Sequence, residues 1–522
     1  MNCLFTRIPL SNGNPLRVRS LLLVLLAAVF LVLVSCSVGP DYVRPTPEMP
    51  PAWKAPADPA VVPGEATIQR WWTLFDDPQL TGLMTTAALG NLNLKEAVAR
   101  MDEARARLGV AAGQMMPEVD AEGFLNHERL SDNGLMPFGT NTHYSPGVAA
   151  SWEIDLFGRI RRSVEAASAD YQASQEDRVD VLIALYAEVA RTYIDIRACQ
   201  AQLASTASNI DSQRQVLEFT RERFKWGLSP DLDVAQAERV LATSEAEVPP
   251  LRIELSRSIN TMAVLVGLPP GTLHEGLSTP RPIPIPPEKA TVGVPVDLLR
   301  QRPDIRRAER QLAAATARSG VATADLYPSL TLRGSLGLES IDTGNLFDAG
   351  SRVFTLGPSL RWNIFDGNRI RNRIKAQDAI TRQSLLRYEQ SILKALNEVE
   401  NALVAYLQER VRLDALARSV DSADRAMKMS LDLYRQGLVD FQNVLDSMRA
   451  KFNLETQLAA ARGKSSVNFV LLYKSLGGGW DTEGSFQKRA GKEKAGRGGA
   501  TPGEDRQLTA GCPHGQSTLS EK

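Results

Sequence analysis

The stretch "ARLGVAAGQMMP", Ala106 to Pro117, returns as "ARSGVATADLYP", Ala317 to Pro328. Six of the twelve positions are identical, at an offset of 211 residues. Two further islands keep the order and nearly the same spacing. "WEIDLFGRIR" from Trp152 matches "WNIFDGNRIR" from Trp362, and "FKWGLSPDLDV" ending at Val234 matches "YRQGLVDFQNV" ending at Val444, both at 210. A period this long lies outside the solenoid range of about 20–50 residues. The chain is therefore read as two copies of one supersecondary module, residues 71–267 and 304–476, joined by a Pro-rich linker, 268–303. Gly109, Pro117 and Trp152 of the first copy answer to Gly320, Pro328 and Trp362 of the second, and are read as structural positions of the repeat.

Each copy holds one stretch without glycine or proline: Arg159 to Trp226, 68 residues, and Asn368 to Gln436, 69 residues. These two residue types punctuate helices. At 1.5 Å per residue such a helix spans roughly 100 Å, against the three or four turns of an ordinary globular helix. Leu385, Ile392, Leu396, Val399, Leu403, Tyr406, Leu413, Leu416 and Val420 keep one apolar seam at helical spacing, while Arg387, Glu389, Lys394, Glu398, Glu400, Glu409, Arg410 and Arg412 lie between them. That mixture predicts a long helix packed along one side and bathed in water on the other. Shorter helices are expected over Leu92–Met116, Leu232–Val266, Asp304–Leu326 and Phe441–Leu476. Gly227 and Gly437 stand where a left-handed cap ends each long helix, and Pro230 fits the first turn of the next.

Between the first short helix and the long helix of each copy, the periodicity changes from helical to two. Strands are expected at 117–128, 145–157, 329–340 and 352–365. Val148, Ala150, Trp152 and Ile154 share one face, as do Leu330, Leu332, Leu336 and Leu338, and Phe354, Leu356, Leu360 and Trp362. The lengths suit tilted strands crossing a bilayer; exposed hairpins on a water-soluble protein are the alternative. Four strands cannot close, and an open edge is not tolerated in hydrocarbon. Two chains give eight strands around a filled interior; three give twelve around a channel.

The ends carry processing signals. Arg7, Arg17 and Arg19 precede a 14-residue apolar run, Leu21–Val34, short for a bilayer span and suited to a signal peptide over residues 1–35. "LVSC", Leu33–Cys36, resembles a bacterial lipobox, which would make Cys36 the lipidated (palmitate-bearing) first residue, with Ser37 rather than an aspartate behind it. Residues 36–70 read as a Pro-rich tether and 477–522 as a disordered tail. Loss of the leader leaves 57 basic residues against 60 acidic, which gives no reason to expect a nucleic-acid partner. His127, His143, His274 and His514 lack metal-ligand spacing, and Cys199 and Cys512 imply no disulfide framework. No metal, cofactor or catalytic set is indicated.

As a set, "VGPDYVRP" (38–45), "WWTLFDDPQLTGL" (71–83), "VDLLRQRPDIRRAERQLAAA" (from Val296), "WNIFDGNRIR" and "YRQGLVDFQNVLDS" (from Tyr434) resemble the outer membrane efflux family, in its lipoprotein, nodulation-type branch. The resemblance implies a mixed α/β membrane protein: a homotrimeric channel-tunnel with a 12-stranded barrel in outer-membrane lipid and a helical barrel in the periplasm. The partners it implies are a periplasmic adaptor and an inner-membrane pump of the resistance-nodulation-division (RND) type, which supplies the energy. The helix tips then form the periplasmic mouth, with Gly227, Leu228, Gly437 and Leu438 as turn and adaptor contact. The family's gate pattern falls on Tyr434, Val439, Asn443 and Asp446; Asn443 stands where a second aspartate is common and Val439 where a basic latch residue is. Asp231 and Asp233 read either as pore-mouth acids or as charges favouring a helix start. Arg302, Pro303 and Asp304 read as fixing a helix start. The competing reading is a lipid-anchored periplasmic coiled-coil adaptor or spacer with no pore.

Overall fold

The computed structural model describes residues 37–55, 58–64, 69–129 and 140–480; the leader, Cys36 and nearly all of the C-terminal tail lie outside them, and the body ends at Gly479. In chain order its main elements are α1 (Pro78–Gly90), α2 (Leu92–Gly113), β1 (Glu118–Arg129), β2 (Thr140–Ile154), α3 (Arg159–Lys225), α4 (Asp231–Ala246), α5 (Val248–Leu265), α6 (Pro303–Ala324), β3 (Ser329–Leu338), β4 (Arg352–Arg361), α7 (Arg369–Arg435) and α8 (Phe441–Ser475).

The two long helices, 67 residues each, start and stop where the punctuation sits. Gly158 (φ +82°) and Asn368 (φ +67°) precede them; Gly227 (φ +69°) and Gly437 (φ +75°) follow. An acid just upstream caps each free N-terminus: Asp155 accepts from the amides of Ile160 and Arg161 at 3.1 and 2.9 Å, and Asp366 from that of Ile370 at 2.6 Å. This fills the orphan donors of a first turn. On α7 the seam forms: Ile392, Val399, Leu403, Tyr406 and Leu416 are buried, joined by Tyr388, Ala395 and Leu407, while Leu385, Leu396, Leu413 and Val420 are half-buried. The single helix expected over Leu232–Val266 is two, because α5 restarts at Val248 with proline in its first turn; a proline there forfeits no helical hydrogen bond.

The strands form one sheet in the order β1-β2-β3-β4, all antiparallel. Their bounds differ from the sequence pattern: β2 starts at Thr140 rather than 145, and β4 ends at Arg361 rather than 365. Pro146 suggests a strand start, yet the ladder runs through it, opposite Gly123 and beside the Gly147–Gly337 pair. A Cβ on Gly337 would fall 2.8 Å from the Pro146 carbonyl oxygen, so the close approach needs glycine. The register sorts the faces. Val119, Ala150, Gly334 and Leu356 are mutual neighbours on one side, as are Val148, Leu336 and Phe354. Glu118, Ser151, Arg333 and Gly357 line the other, next to Asp120, Ala149, Ser335 and Thr355. The apolar face is uncovered: Phe354 and Leu356 are 78% and 77% exposed. Strands β1 and β4 each keep one free edge.

The main core lies where the long helices pass the segment Trp71–Phe75. Trp71, Leu80, Tyr193, Ile194, Tyr406 and Phe469 are fully buried there. Trp72 packs on Tyr186 and Phe75 on Phe469, at centroid distances of 4.6 and 5.4 Å. The linker wraps this belt, giving the carbonyls of Pro284 and Glu288 to Ser466 and Arg410. Arg302 forks onto Asp304, reaches Glu398 at 2.7 Å and donates to the Ser475 carbonyl at 2.9 Å, tying the start of α6 to α7 and α8. Gly477–Gly479, expected in the tail, are buried, with Gly477 (φ +82°) capping α8.

The N-terminal segment is a docked strap rather than a loose tether. Arg162, 5% exposed at its side chain, donates to the carbonyls of Val38 and Gly39 and to Asp41. Glu309, 2% exposed, accepts from Tyr42 at 3.2 Å and Arg44 at 2.8 Å. Glu400 takes the backbone amides of Lys54 and Ala55. A Cβ on Gly39 (φ +92°) would meet the Gly320 Cα at 2.5 Å, and one on Gly320 would meet the Arg162 side chain at 2.9 Å, whereas its repeat partner Gly109 has open space. Burial first, then the Glu309 charge, pushes the Tyr42 hydroxyl up from 10.0 to about 12. The folded strap therefore keeps its proton while an unfolded one loses it, so strap stability falls as pH rises from 10 towards 12. Arg44→Ala, which strips a charged partner from a buried carboxylate at a cost of about 1–3 kcal/mol, should speed proteolysis of the strap by about tenfold.

Candidate functional site at the helix tips

The turns ending α3 and α7 are the same structure. Leu228 N–H donates to the Arg223 carbonyl at 2.8 Å and Leu438 N–H to the Leu433 carbonyl at 2.9 Å, with Gly227 and Gly437 bonded to Phe224 and Tyr434. This is the Schellman arrangement, which needs a left-handed residue after the helix. Neither glycine has an atom within 4 Å of where a Cβ would stand, so substitution acts through the backbone alone. Gly437→Ala should cost about 1–2 kcal/mol and speed hydrogen exchange at the tip amides about tenfold or more. At the outer end Trp226, Leu228 and Leu438 are 78%, 64% and 66% exposed.

Behind the turns a separate apolar cluster joins the two hairpins: Val216, Leu217, Val234 and Val240 from the first, Tyr434, Phe441, Val444, Leu445 and Met448 from the second. Tyr434 touches both hairpins. Its ring stands 5.2 Å from Phe441 and 6.2 Å from Phe219, and its hydroxyl donates to Asp233 at 3.2 Å. Arg223 lies over the same ring at 4.8 Å and donates to the carbonyls of Tyr434 and Arg435 at 3.3 Å and of Leu228 at 3.2 Å. One guanidinium thus binds the carbonyl end of α7, where a cation is favoured, and the turn that follows its own helix α3; its Nε is buried without a partner. Burial pushes the Asp233 carboxyl up, opposed by the Tyr434 hydroxyl and by Arg223; burial and the Asp233 charge push Tyr434 up.

The structure therefore brings Tyr434 and Asp233 together, 201 residues apart, inside one chain. Asp231 is exposed at the start of α4. Asn443 and Asp446 are exposed on the side of α8 away from the cluster; Asp446 accepts from Gln442 at 2.9 Å and lies 3.6 Å from Arg449. Val439 packs against the cluster instead. The sequence pattern does not single out Arg223. Its only signal is a basic residue four positions before a helix-ending glycine, which fits many helix ends.

Trp152 and Trp362 mark the opposite end. Their indole N–H groups donate to the Met115 and Leu326 carbonyls at 3.0 and 3.1 Å, the same bond in both repeats; two residues on, Pro117 and Pro328 lead into β1 and β3. Tryptophan at the boundary of an apolar band is the usual girdle of a membrane barrel. Among the described residues no helix is long and apolar enough to cross a membrane, which says nothing of the sheet.

Long amphipathic helices, blunt paired tips and a sheet with one lipid-compatible face and two free edges define one protomer of an oligomeric barrel channel with a helical extension. Comparison with known proteins agrees. The chain belongs to the outer membrane efflux protein family, whose pattern matches twice, over residues 83–268 and 294–478, once per repeat. Nodulation protein T of Rhizobium leguminosarum bv. trifolii is 31% identical over 457 residues, 86% of this chain and 96% of that one. The toluene efflux pump outer membrane protein TtgF of Pseudomonas putida is 30% identical, covering 87% and 96%. The solved outer-membrane channel OprN superposes with a TM-score of 0.81 at 34% identity, over 85% of this chain and all of that one. The protein is thus an outer-membrane efflux channel of the trimeric channel-tunnel fold, with its helices in the periplasm. The adaptor or spacer alternative has no support among these matches.

Proposed function

We propose that the helix tips form a gated periplasmic mouth, closed by Arg223, Tyr434 and Asp233, through which a periplasmic adaptor and an RND-type inner-membrane pump deliver solute. The observation that carries this reading is the junction itself: the Arg223 guanidinium and the Tyr434 hydroxyl hydrogen-bond across the two hairpins of a chain, and Arg435 lies over the Phe219 ring at 5.8 Å. Asn443 and Asp446 stand on the free side of α8, and three Asp446 carboxylates around one axis would repel one another and attract cations. Val439 offers no charge, so closure relies on contacts within each chain more than on a basic latch between chains. The exposed Trp226, Leu228 and Leu438 at the turns suit apolar contacts with the adaptor, around Gly227 and Gly437. Cys36 carries the lipid: Ser37 lies against Gly158, just past the end of β2, with its Oγ 2.5 Å from where a Gly158 Cβ would stand, which supports an anchor beside the periplasmic rim of the barrel. Relatives named for toluene and for cation efflux share this architecture, so the channel passes what the pump selects.

The test is Asp446→Ala in a planar bilayer. Single-channel conductance and cation preference should both change, since a ring of three carboxylates disappears. Unchanged values with an intact trimer would remove Asp446 from the constriction.

A further inference from the structure

The duplication fixes how neighbouring chains join. Strand β3 is the repeat equivalent of β1 at an offset of 211, and β4 that of β2 at 210, as the Pro117/Pro328 and Trp152/Trp362 pairs give. The hairpins verify these offsets independently. Glu118 stands opposite Ser151, and their equivalents Ser329 and Arg361 stand opposite each other. The chain also contains one junction between hairpins, β2 with β3, in which Ser151 faces Arg333. The open edges left over are β4 and β1, the equivalents of the two strands that meet there. A second copy that closes the sheet repeats the same junction.

We infer that β4 of one chain pairs antiparallel with β1 of the next, with Arg361 directly opposite the partner subunit's Glu122. Ser151 carries over to Arg361 and Arg333 to Glu122. The register keeps the faces in step, since both residues lie on the polar side: Glu122 is opposite Gly147, and Arg361 is opposite Ser329. It also turns a serine–arginine pair inside the chain into an acid–base pair between chains. Both side chains are exposed, and neither forms an ion pair among the described residues. Opposite charges facing across a ladder are favourable, like charges unfavourable. The seam therefore recognises a second copy of this chain and selects one register, where a one-residue slip would turn the apolar face inward.

The inference rests on closure of the barrel by copies of the chain, and cysteine cross-linking separates the two. Residues directly opposite have Cα atoms about 4.5–5.5 Å apart, within disulfide reach, whereas a partner two residues along lies at about 7–8 Å. In a C512S background, E122C/R361C should give covalent dimers and trimers on a non-reducing gel, at least tenfold more than D120C/R361C or F124C/R361C. Cross-linking confined to either of the latter overturns the register but leaves the closed barrel. No cross-linked oligomer from any of the three overturns both. Charge reversal provides a second readout that needs no oxidation: E122R and R361E should each lower the temperature at which the trimer band dissociates, and E122R/R361E should restore it. Additive losses in the double variant would contradict the pairing.

Discussion

Arg223→Ala should leave the trimer intact and shift the channel from mostly closed to mostly open, raising its mean bilayer conductance severalfold. Arg223 donates to two carbonyls at the end of α7 and one in the turn after α3, and lies over the Tyr434 ring. Hydrogen bonds to a charged group contribute about 1.5–3 kcal/mol in total effect when one partner is removed. Taking about 2 kcal/mol per protomer, three protomers bias the closed state by about 6 kcal/mol, and about 5.5 kcal/mol suffices to move a two-state equilibrium from 1:99 to 99:1. Arg223→Lys keeps the charge but cannot fork among several carbonyls, and should give intermediate conductance. Closed channels in Arg223→Ala, in trimers of normal yield, would show that these contacts hold the hairpins together without gating them.

Leu356→Lys should abolish the assembled barrel. Leu356 sits midway along β4, on the apolar face beside Gly334 and 77% exposed in the single chain. A lysine on the lipid face costs about 2–4 kcal/mol at the bilayer midplane, roughly three times that per trimer, which rivals the whole stability of a typical domain. Ser359→Lys, three residues away on the polar face opposite Thr331, should be tolerated and only tune conductance. Folded trimer in outer-membrane fractions, read from heat-modifiable bands, checks both. Equal yields from the two variants would mean that the sheet does not sort its faces between lipid and lumen.

Much of this architecture is written locally. Glycine and proline delimit the helices because the left-handed φ at Gly227 and Gly437 admits few other residues without strain. The alternation at Val148, Ala150 and Trp152 fixes the faces of β2 because successive side chains on a strand point to opposite faces. What depends on partners distant in the chain is less visible. The strap looks like a Pro-rich leash until Glu309 and Arg162, buried charges that need partners, are seen to find them in Tyr42, Arg44 and Asp41. The tip pattern gives Tyr434 a place in the gate but not its partner, since nothing in the sequence aims its hydroxyl at Asp233 or sets Arg223 over its ring. Periodicity also runs through Pro249 and Pro250, because the apolar spacing continues across the break between α4 and α5 while only the backbone registers the proline.

The central claim is that one chain supplies an open four-stranded sheet that survives in lipid only when copies of itself cover both edges. Native mass spectrometry of the protein extracted from outer membranes in mild detergent addresses it directly. A barrel closed by copies of the chain gives a mass of three chains, with no appreciable single-chain species until the detergent micelle is stripped away under denaturing conditions. A stable single chain as the dominant membrane-extracted species would contradict it.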